Sequence, residues 1–272
     1  MSEANEPNTM REKISITIDK GILKEIDGVI DNIYVKNRSQ AIEHLVRNAL
    51  GENRTAVILI GGPEEGLKLK EGLYSPLAEI NGKALIERAL RKLRDSGFKT
   101  IYIIARHTIL TKVFEVVKNG TEFGVSVSYI EEKKSSGTFQ SLCLAKGKMN
   151  APFLVVYGDI LFEKVNIEQL WNDHVRQHPV ATILLTTSPT PKEKGTVKVE
   201  GNKVLEFTQK PKKSDIYLVF SPIFVAEPQL LEYEGASLEF DVFPQLAEKG
   251  LLNGHLSSEK ERHIHSVEDV KA

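Results

Sequence analysis

The sequence predicts an α/β protein in two parts: a short strand-helix-helix arm, then a doubly wound, mostly parallel sheet domain. Three observations carry this expectation. Apolar residues alternate strictly at Ile14, Ile16 and Ile18 and then recur at spacings of three and four up to Leu50. From Thr55 onward, near-continuous Val/Ile/Leu runs of strand length alternate with helical stretches, the mark of strands buried on both faces. Glycines punctuate the ends of two of those runs, at Gly61-Gly62 and Gly158-Asp159.

The arm begins after a polar tail, expected to be disordered, over residues 1–10. Lys13 to Asp19 reads as one strand with a single apolar face and no second strand nearby, so a second copy of the chain must pair with it. Asp19 is placed to cap a first helix whose apolar positions are Ile22, Leu23, Ile26, Val29 and Ile30. A turn follows around Asn32 to Lys36, and Asn37 caps a second helix striped by Ala41, Ile42, Leu45, Val46 and Ala49 and stopped at Gly51. Over residues 11–51 this order resembles the ribbon-helix-helix transcriptional regulators. The resemblance implies a homodimer, able to pair into tetramers, that lays a two-stranded ribbon in the DNA major groove. Lys13, Ser15 and Thr17 would face base edges and Asn37, Arg38 and Ser39 would anchor phosphates. Against this stands the charge: residues 1–53 hold seven Lys/Arg and nine Asp/Glu, a net of −2.

In the second part, expected over residues 54–272, strands are predicted at Thr55–Ile60, Thr100–Ala105, Val125–Ile130 and Phe153–Tyr157. Helices are predicted near residues 84–97, 111–119 and 137–146. Cys143, alone of its kind in the chain, lies in an apolar run and reads as a core residue. The net charge of −1 advertises no extended polyanion partner, and no run of about 18 apolar residues offers a membrane span, so a cytoplasmic protein is expected.

Several segments then match one family in order: residues 78–86, Gly137-Thr138, residues 155–161, Lys210-Pro211, residues 237–244 and residues 266–270. Together they resemble the sugar-phosphate nucleotidyltransferases, which implies a Rossmann-like nucleotidyltransferase fold. A sugar 1-phosphate would attack the α-phosphate of a nucleoside triphosphate with Mg²⁺ assisting. The resemblance places nucleotide binding at Gly61, Gly62, Gly137, Thr138 and Gly158, sugar-phosphate binding at Gly195 and Lys210, and a metal carboxylate at Asp159. It weakens at the first loop, where Pro63-Glu64-Glu65 replaces a glycine-rich, arginine-bearing cradle, with Lys68 and Lys70 as substitute cations. It weakens again at Ser75 and His263, which stand for a lysine and an aspartate, and at Gln209, Phe220 and Pro222 in the sugar pocket. His263 and His265 alternate on an expected strand and could take a softer metal than magnesium.

These departures lead to the expectation of a homodimeric DNA-binding regulator that needs no cofactor to bind DNA. Its nucleotidyltransferase-like domain would be catalytically weak or inactive and would sense a nucleotide or sugar nucleotide. The alternative is an active sugar-1-phosphate nucleotidyltransferase, dimerised or tethered to DNA by the arm, with Mg²⁺ required only in that case.

Overall fold

A computed structural model describes residues 13–30, 35–50, 54–70, 72–134 and 137–271. The chain divides into two compact units, residues 1–47 and 48–272. In the first, helix α1 (Lys20–Gly28) starts where predicted, with the Asp19 carboxylate accepting the Gly21 N–H at 2.7 Å. Helix α2 (Arg38–Leu50) is likewise preceded by Asn37, whose Oδ1 accepts the Gln40 N–H at 3.0 Å. The expected strand Lys13 to Asp19 belongs to no ladder, and Ile14 and Ile16 are 72% and 54% exposed. An unpaired ribbon has no hydrogen-bond partner of its own to define it as sheet. The predicted tail at 1–10, most of the turn at Asn32 to Lys36 and the stop at Gly51 lie outside the described residues.

The second unit is built on a nine-stranded sheet. Its strands in chain order are β1 (Arg54–Ile60), β2 (Phe98–Ala105), β3 (Ser126–Glu131), β4 (Phe153–Tyr157), β5 (Ala181–Thr187), β6 (Gly195–Glu200), β7 (Lys203–Gln209), β8 (Leu218–Ala226) and β9 (Leu252–Leu256). Across the sheet they run β5-β9-β7-β6-β8-β4-β1-β2-β3. The first half agrees with expectation: β4, β1, β2 and β3 are parallel and their crossovers carry helices α3 (Leu85–Asp95), α4 (His107–Val117) and α5 (Thr138–Cys143). The second half corrects it. β8 runs antiparallel to β4, β5 and β6, and β6 to β7, so the sheet is mixed rather than mostly parallel. The physical reason is connection length, because β6 and β7 are joined by a tight turn through Gly201 (φ 58°) with no room for a crossover helix.

Both faces are covered. Alternate residues of β1 feed separate clusters, Ala56, Ile58 and Ile60 on one side and Val57 and Leu59 on the other. The first side packs α3, α4 and α6 (Ile167–Gln177) through residues such as Leu90, Val113 and Trp171; the second packs α5 and α7 (Phe243–Glu248) through Phe139 and Phe243. Cys143, expected in the core, is only half-buried at the margin of the second cluster, and that burial pushes its thiol up. No described helix is long and apolar enough to cross a membrane.

Candidate functional site

The parallel pairing of β1 with β4 aligns Leu59 with Tyr157, so the two glycine-bearing loops leave the sheet side by side. Gly158 donates its N–H to Leu59 O at 3.0 Å, and a Cβ on Gly158 would come 2.4 Å from Ile60 Cγ1. Only glycine permits this approach.

After β1 the chain passes through Gly61 and Gly62 (φ 108°) into a 3₁₀ turn, Glu64–Leu67. A Cβ on Gly61 would lie 2.6 Å from Ser141 Oγ. The Gly62 N–H donates to Glu132 Oε2 at 3.1 Å, and the Ser141 hydroxyl donates to the other oxygen of the same buried carboxylate. The loop is therefore anchored from below by Glu132, while its outer face carries Glu64, Glu65 and the exposed Lys68 and Lys70. Ser75 is wholly buried and donates to Leu67 O at 3.0 Å, fixing the base of the loop.

Gly137 has φ 125° and stands so close to Ala236 that a Cβ would meet its carbonyl oxygen at 2.3 Å. Thr138 beside it donates to Glu239 at 2.7 Å and accepts the Leu238 N–H at 2.9 Å. Glu239 is a hub that sequence reading passed over: it also accepts from Tyr157 Oη at 2.5 Å and Ser237 Oγ at 2.8 Å. Burial and the Glu239 charge push the Tyr157 phenol well above its ordinary range, so it remains the donor. One carboxylate thus ties Gly137-Thr138 to the end of β4.

On the other flank, Gly195 opens β6, and a Cβ there would meet Phe207 Cζ at 2.5 Å and Gln209 Oε1 at 2.7 Å. Gln209 Oε1, which with the Phe207 ring fills the space a side chain at position 195 would need, is buried with no hydrogen-bond partner. Lys210 is exposed, with φ 47° and its N–H bonded to Lys194 O at 2.9 Å. Phe220 departs from its expected place in the sugar pocket. It is 6% exposed and packs among Phe207, Phe224 and Phe243 at centroid distances of 6.0, 6.4 and 5.3 Å.

Asp159 closes the arrangement. The short strand Arg262–His263 pairs antiparallel with Ile160–Leu161, and the Ile264 N–H donates to Asp159 O at 2.8 Å. This brings ligating atoms of Asp159, His263 and His265 all within 4.8 Å of one another. Glu261, also missed from sequence, lies behind His263 and takes hydrogen bonds from Ser221 at 2.5 Å and Lys194 Nζ at 3.2 Å. Burial alone would raise Glu261, but hydrogen bonds from His263 and Ser221 and the Lys194 charge outweigh it and hold the carboxyl at about 2. Magnesium favours an octahedron of oxygen ligands, and a set of one carboxylate and two imidazoles does not fit it.

The residues assigned to DNA form no such constellation. Lys13, Ser15, Thr17 and Ser39 are exposed, Asn37 is the cap of α2, and Arg38 is engaged within its own unit, donating to both oxygens of Asp27 at 2.6 and 2.8 Å.

Comparison with known proteins gives a consistent outcome. Residues 55–256 match the family described as nucleotidyl transferase. A protein of Methanococcus aeolicus named bifunctional protein GlmU is 27% identical over 179 residues, 65% of this chain and 41% of its own. A mannose-1-phosphate guanyltransferase of Saccharomyces cerevisiae is 26% identical over 203 residues, 71% of this chain and 56% of its own. The chain thus spans about half the length of these curated relatives. A Bacillus anthracis crystal structure, assigned as a glucose-1-phosphate thymidylyltransferase in complex with sucrose, superposes with TM-score 0.72 at 22% identity. It covers 80% of this chain and 92% of that one, and shows the shared fold. These findings overturn the expectation of a DNA-binding transcriptional regulator with a weak or inactive domain, because curated relatives are named for sugar-phosphate nucleotidyl transfer. The altered loop that prompted it is a change of detail on a family scaffold, and detail of that kind does not identify a regulator.

Proposed function

The chain belongs to the nucleotidyl transferase family, and from that premise we propose that it is a sugar-1-phosphate nucleotidyltransferase. What carries the reading is the family match over residues 55–256, which takes in each loop of the glycine-lined cleft as far as Lys210. A phosphate oxygen of the sugar 1-phosphate attacks the α-phosphorus of the nucleoside triphosphate. The bond from that phosphorus to the bridging oxygen breaks, and pyrophosphate leaves.

The chain's own residues bind and orient. Gly62, with open space where a Cβ would stand, lets the triphosphate approach the backbone at the end of β1 and Gly61 seats that turn on Ser141, while Gly137 and Thr138, braced by Glu239, hold the base. Gly158 lets the end of β4 lie close against Ile60 and Ile58. Gly195, packed against Phe207 and Gln209, sets the start of β6 on the sugar side, and the exposed Lys210 meets the sugar phosphate. Lys68 and Lys70 offset the charge of Glu64 and Glu65 beside the polyphosphate. Residues 11–51 act in this reading as a ribbon-helix-helix unit joining two copies, supported by the exposed Ile14 and Ile16 and by the two capped helices.

The test is pyrophosphate release by the purified chain across a panel of nucleoside triphosphates and sugar 1-phosphates, each with Mg²⁺, Mn²⁺ or Zn²⁺. Turnover on the order of 1 to 1,000 per second requiring both substrates is expected. Lys210→Ala should raise the KM for sugar 1-phosphate more than that for nucleotide. Absence of pyrophosphate in every combination, together with no nucleotide-sugar binding by calorimetry, overturns the reading.

A further inference from the structure

We propose that Asp159, His263 and His265 form a binding site for a zinc-class divalent cation, with Zn²⁺ and its spectroscopic substitute Co²⁺ bound in preference to Mg²⁺. The site replaces the magnesium that family membership implies with a donor set of different chemistry. The proposal stands on the ligand cluster and does not depend on the transfer reading, since binding is measured without turnover.

The backbone sets up the cluster. His263 lies opposite Ile160 in a two-stranded ladder, and the next bond of that pairing, Ile264 N–H to Asp159 O at 2.8 Å, fixes the Asp159 backbone beside both histidines. Residues two apart on an extended segment share a side. The His263 and His265 rings accordingly stack, with centroids 5.2 Å apart and planes at 17°.

The hydrogen-bond geometry points the same way. His263 Nε2 sits 3.2 Å from Glu261 Oε1, and the Glu261 side chain is only 1% exposed and ion-paired with Lys194. A buried carboxylate facing one ring nitrogen holds the proton there and leaves the lone pair on the other, the arrangement that supports metal-bound histidines. The other nitrogen, His263 Nδ1, is buried and has no hydrogen-bond partner. Leaving such an acceptor unsatisfied is costly, and a cation removes the cost. His265 Nδ1 lies 3.8 Å from Asp159 Oδ2, too far for a hydrogen bond between them. It is close to the separation expected for two atoms that each ligate one ion at roughly 2.0 to 2.2 Å.

Donor chemistry then selects the ion. Two imidazoles and one carboxylate form the ligand type of open zinc centres, which leave a coordination position for water or substrate. Affinity at nitrogen ligands rises from manganese toward zinc, and magnesium binds imidazole poorly.

The experiment uses the full chain, stripped with chelator. It is dialysed to equilibrium against Zn²⁺ with and without a hundredfold excess of Mg²⁺, and titrated separately with Co²⁺ while visible absorption is followed. The expected result is one Zn²⁺ per chain retained against Mg²⁺, and a Co²⁺ spectrum of four- or five-coordinate intensity. The double variant His263→Ala, His265→Ala should lose both, with unchanged circular dichroism. Glu261→Gln should weaken Zn²⁺ affinity by about 10- to 100-fold while keeping the stoichiometry. His265→Asp, at an exposed position, gives a second carboxylate and should narrow the preference for Zn²⁺ over Mg²⁺. Retention of the same Zn²⁺ by the double variant overturns the proposal, because the ion then sits elsewhere; so does its displacement by Mg²⁺ from the natural chain.

Discussion

The two units of the chain treat their apolar residues in opposite ways. In residues 13–50 only Ile26 and Ala41 are buried among the described residues, while Ile14, Ile16, Ile22, Leu45 and Val46 remain exposed. In the family domain the central sheet strands are buried almost throughout: β4 reads Phe153, Leu154, Val155 and Val156 at 0% exposure, and β1 is nearly as dry, while strands such as β3 and β7 expose alternate residues. The domain therefore contains its own reason to fold. The arm has the pattern of a core without the mass of one, and its apolar face requires a second surface. Stability should accordingly be local to the domain, and association local to the arm.

The largest expected effect tests that division. Phe243 is fully buried, touching Phe207, Phe220 and Phe224 at centroid distances of 5.3 to 5.4 Å. Phe243→Ala should cost about 3 to 5 kcal/mol by urea denaturation, from lost burial and the cavity left behind. Ile16→Asp, at a position 54% exposed, should leave the same transition unmoved and instead lower the mass measured by light scattering from dimer toward monomer. A destabilised domain after the Ile16 substitution, at unchanged mass, would show that the arm's apolar residues serve the fold and not association.

The second effect concerns one buried group. Glu261 has a folded-state pKa near 2 against an ordinary value of 4.5, a depressed carboxylate. Such a group stabilises the fold above its unfolded value, and the contribution disappears as pH falls through the folded one. Glu261→Gln should therefore cost about 3 kcal/mol at pH 7 in chelator, and the gap to the natural chain should close between about pH 4.5 and pH 2. A gap that is constant across that range would mean the destabilisation comes from packing and not from charge.

The same contrast explains what could be read in advance. The strands β1, β2 and β4 were legible because strands buried on both faces write continuous apolar runs, and the edge strand β3 because its apolar residues alternate. The orientation of β6 to β8 was not, since a run such as Thr196, Val197, Lys198, Val199 looks alike in either direction, and only the short Gly201 turn decides it. Gly61, Gly137, Gly158 and Gly195 were found through the family resemblance, and the structure supplies their reason in contacts of 2.3 to 2.6 Å that a Cβ would make. His263 and His265 could be placed on one side by their alternation. The Glu261 that orients His263 could not, because its other partners, Ser221 and Lys194, are 40 and 67 positions away. Glu239 was hidden for the same reason, its contact with Thr138 spanning 101 positions. The DNA-binding expectation failed at a different step: a regular strand-helix-helix pattern reports that a surface seeks a partner, not which partner.

The smallest effect lies within the arm. With so little buried apolar surface, α1 depends on local bonds, chief among them the Asp19 carboxylate on the Gly21 N–H at 2.7 Å and the Asp19 carbonyl on the Leu23 N–H at 2.9 Å. Asp19→Ala removes only the first, at a cost of about 1 kcal/mol in helix stability. Amide hydrogen exchange at Leu23 should then quicken about fivefold, since local opening governs exchange there. Val57, in the centre of the sheet, should exchange at its former rate. Asp19→Asn retains the capping oxygen and should restore protection at Leu23. Equal acceleration at Leu23 and Val57 would mean that the arm and the domain open together, and the separation of the two units would have to be abandoned.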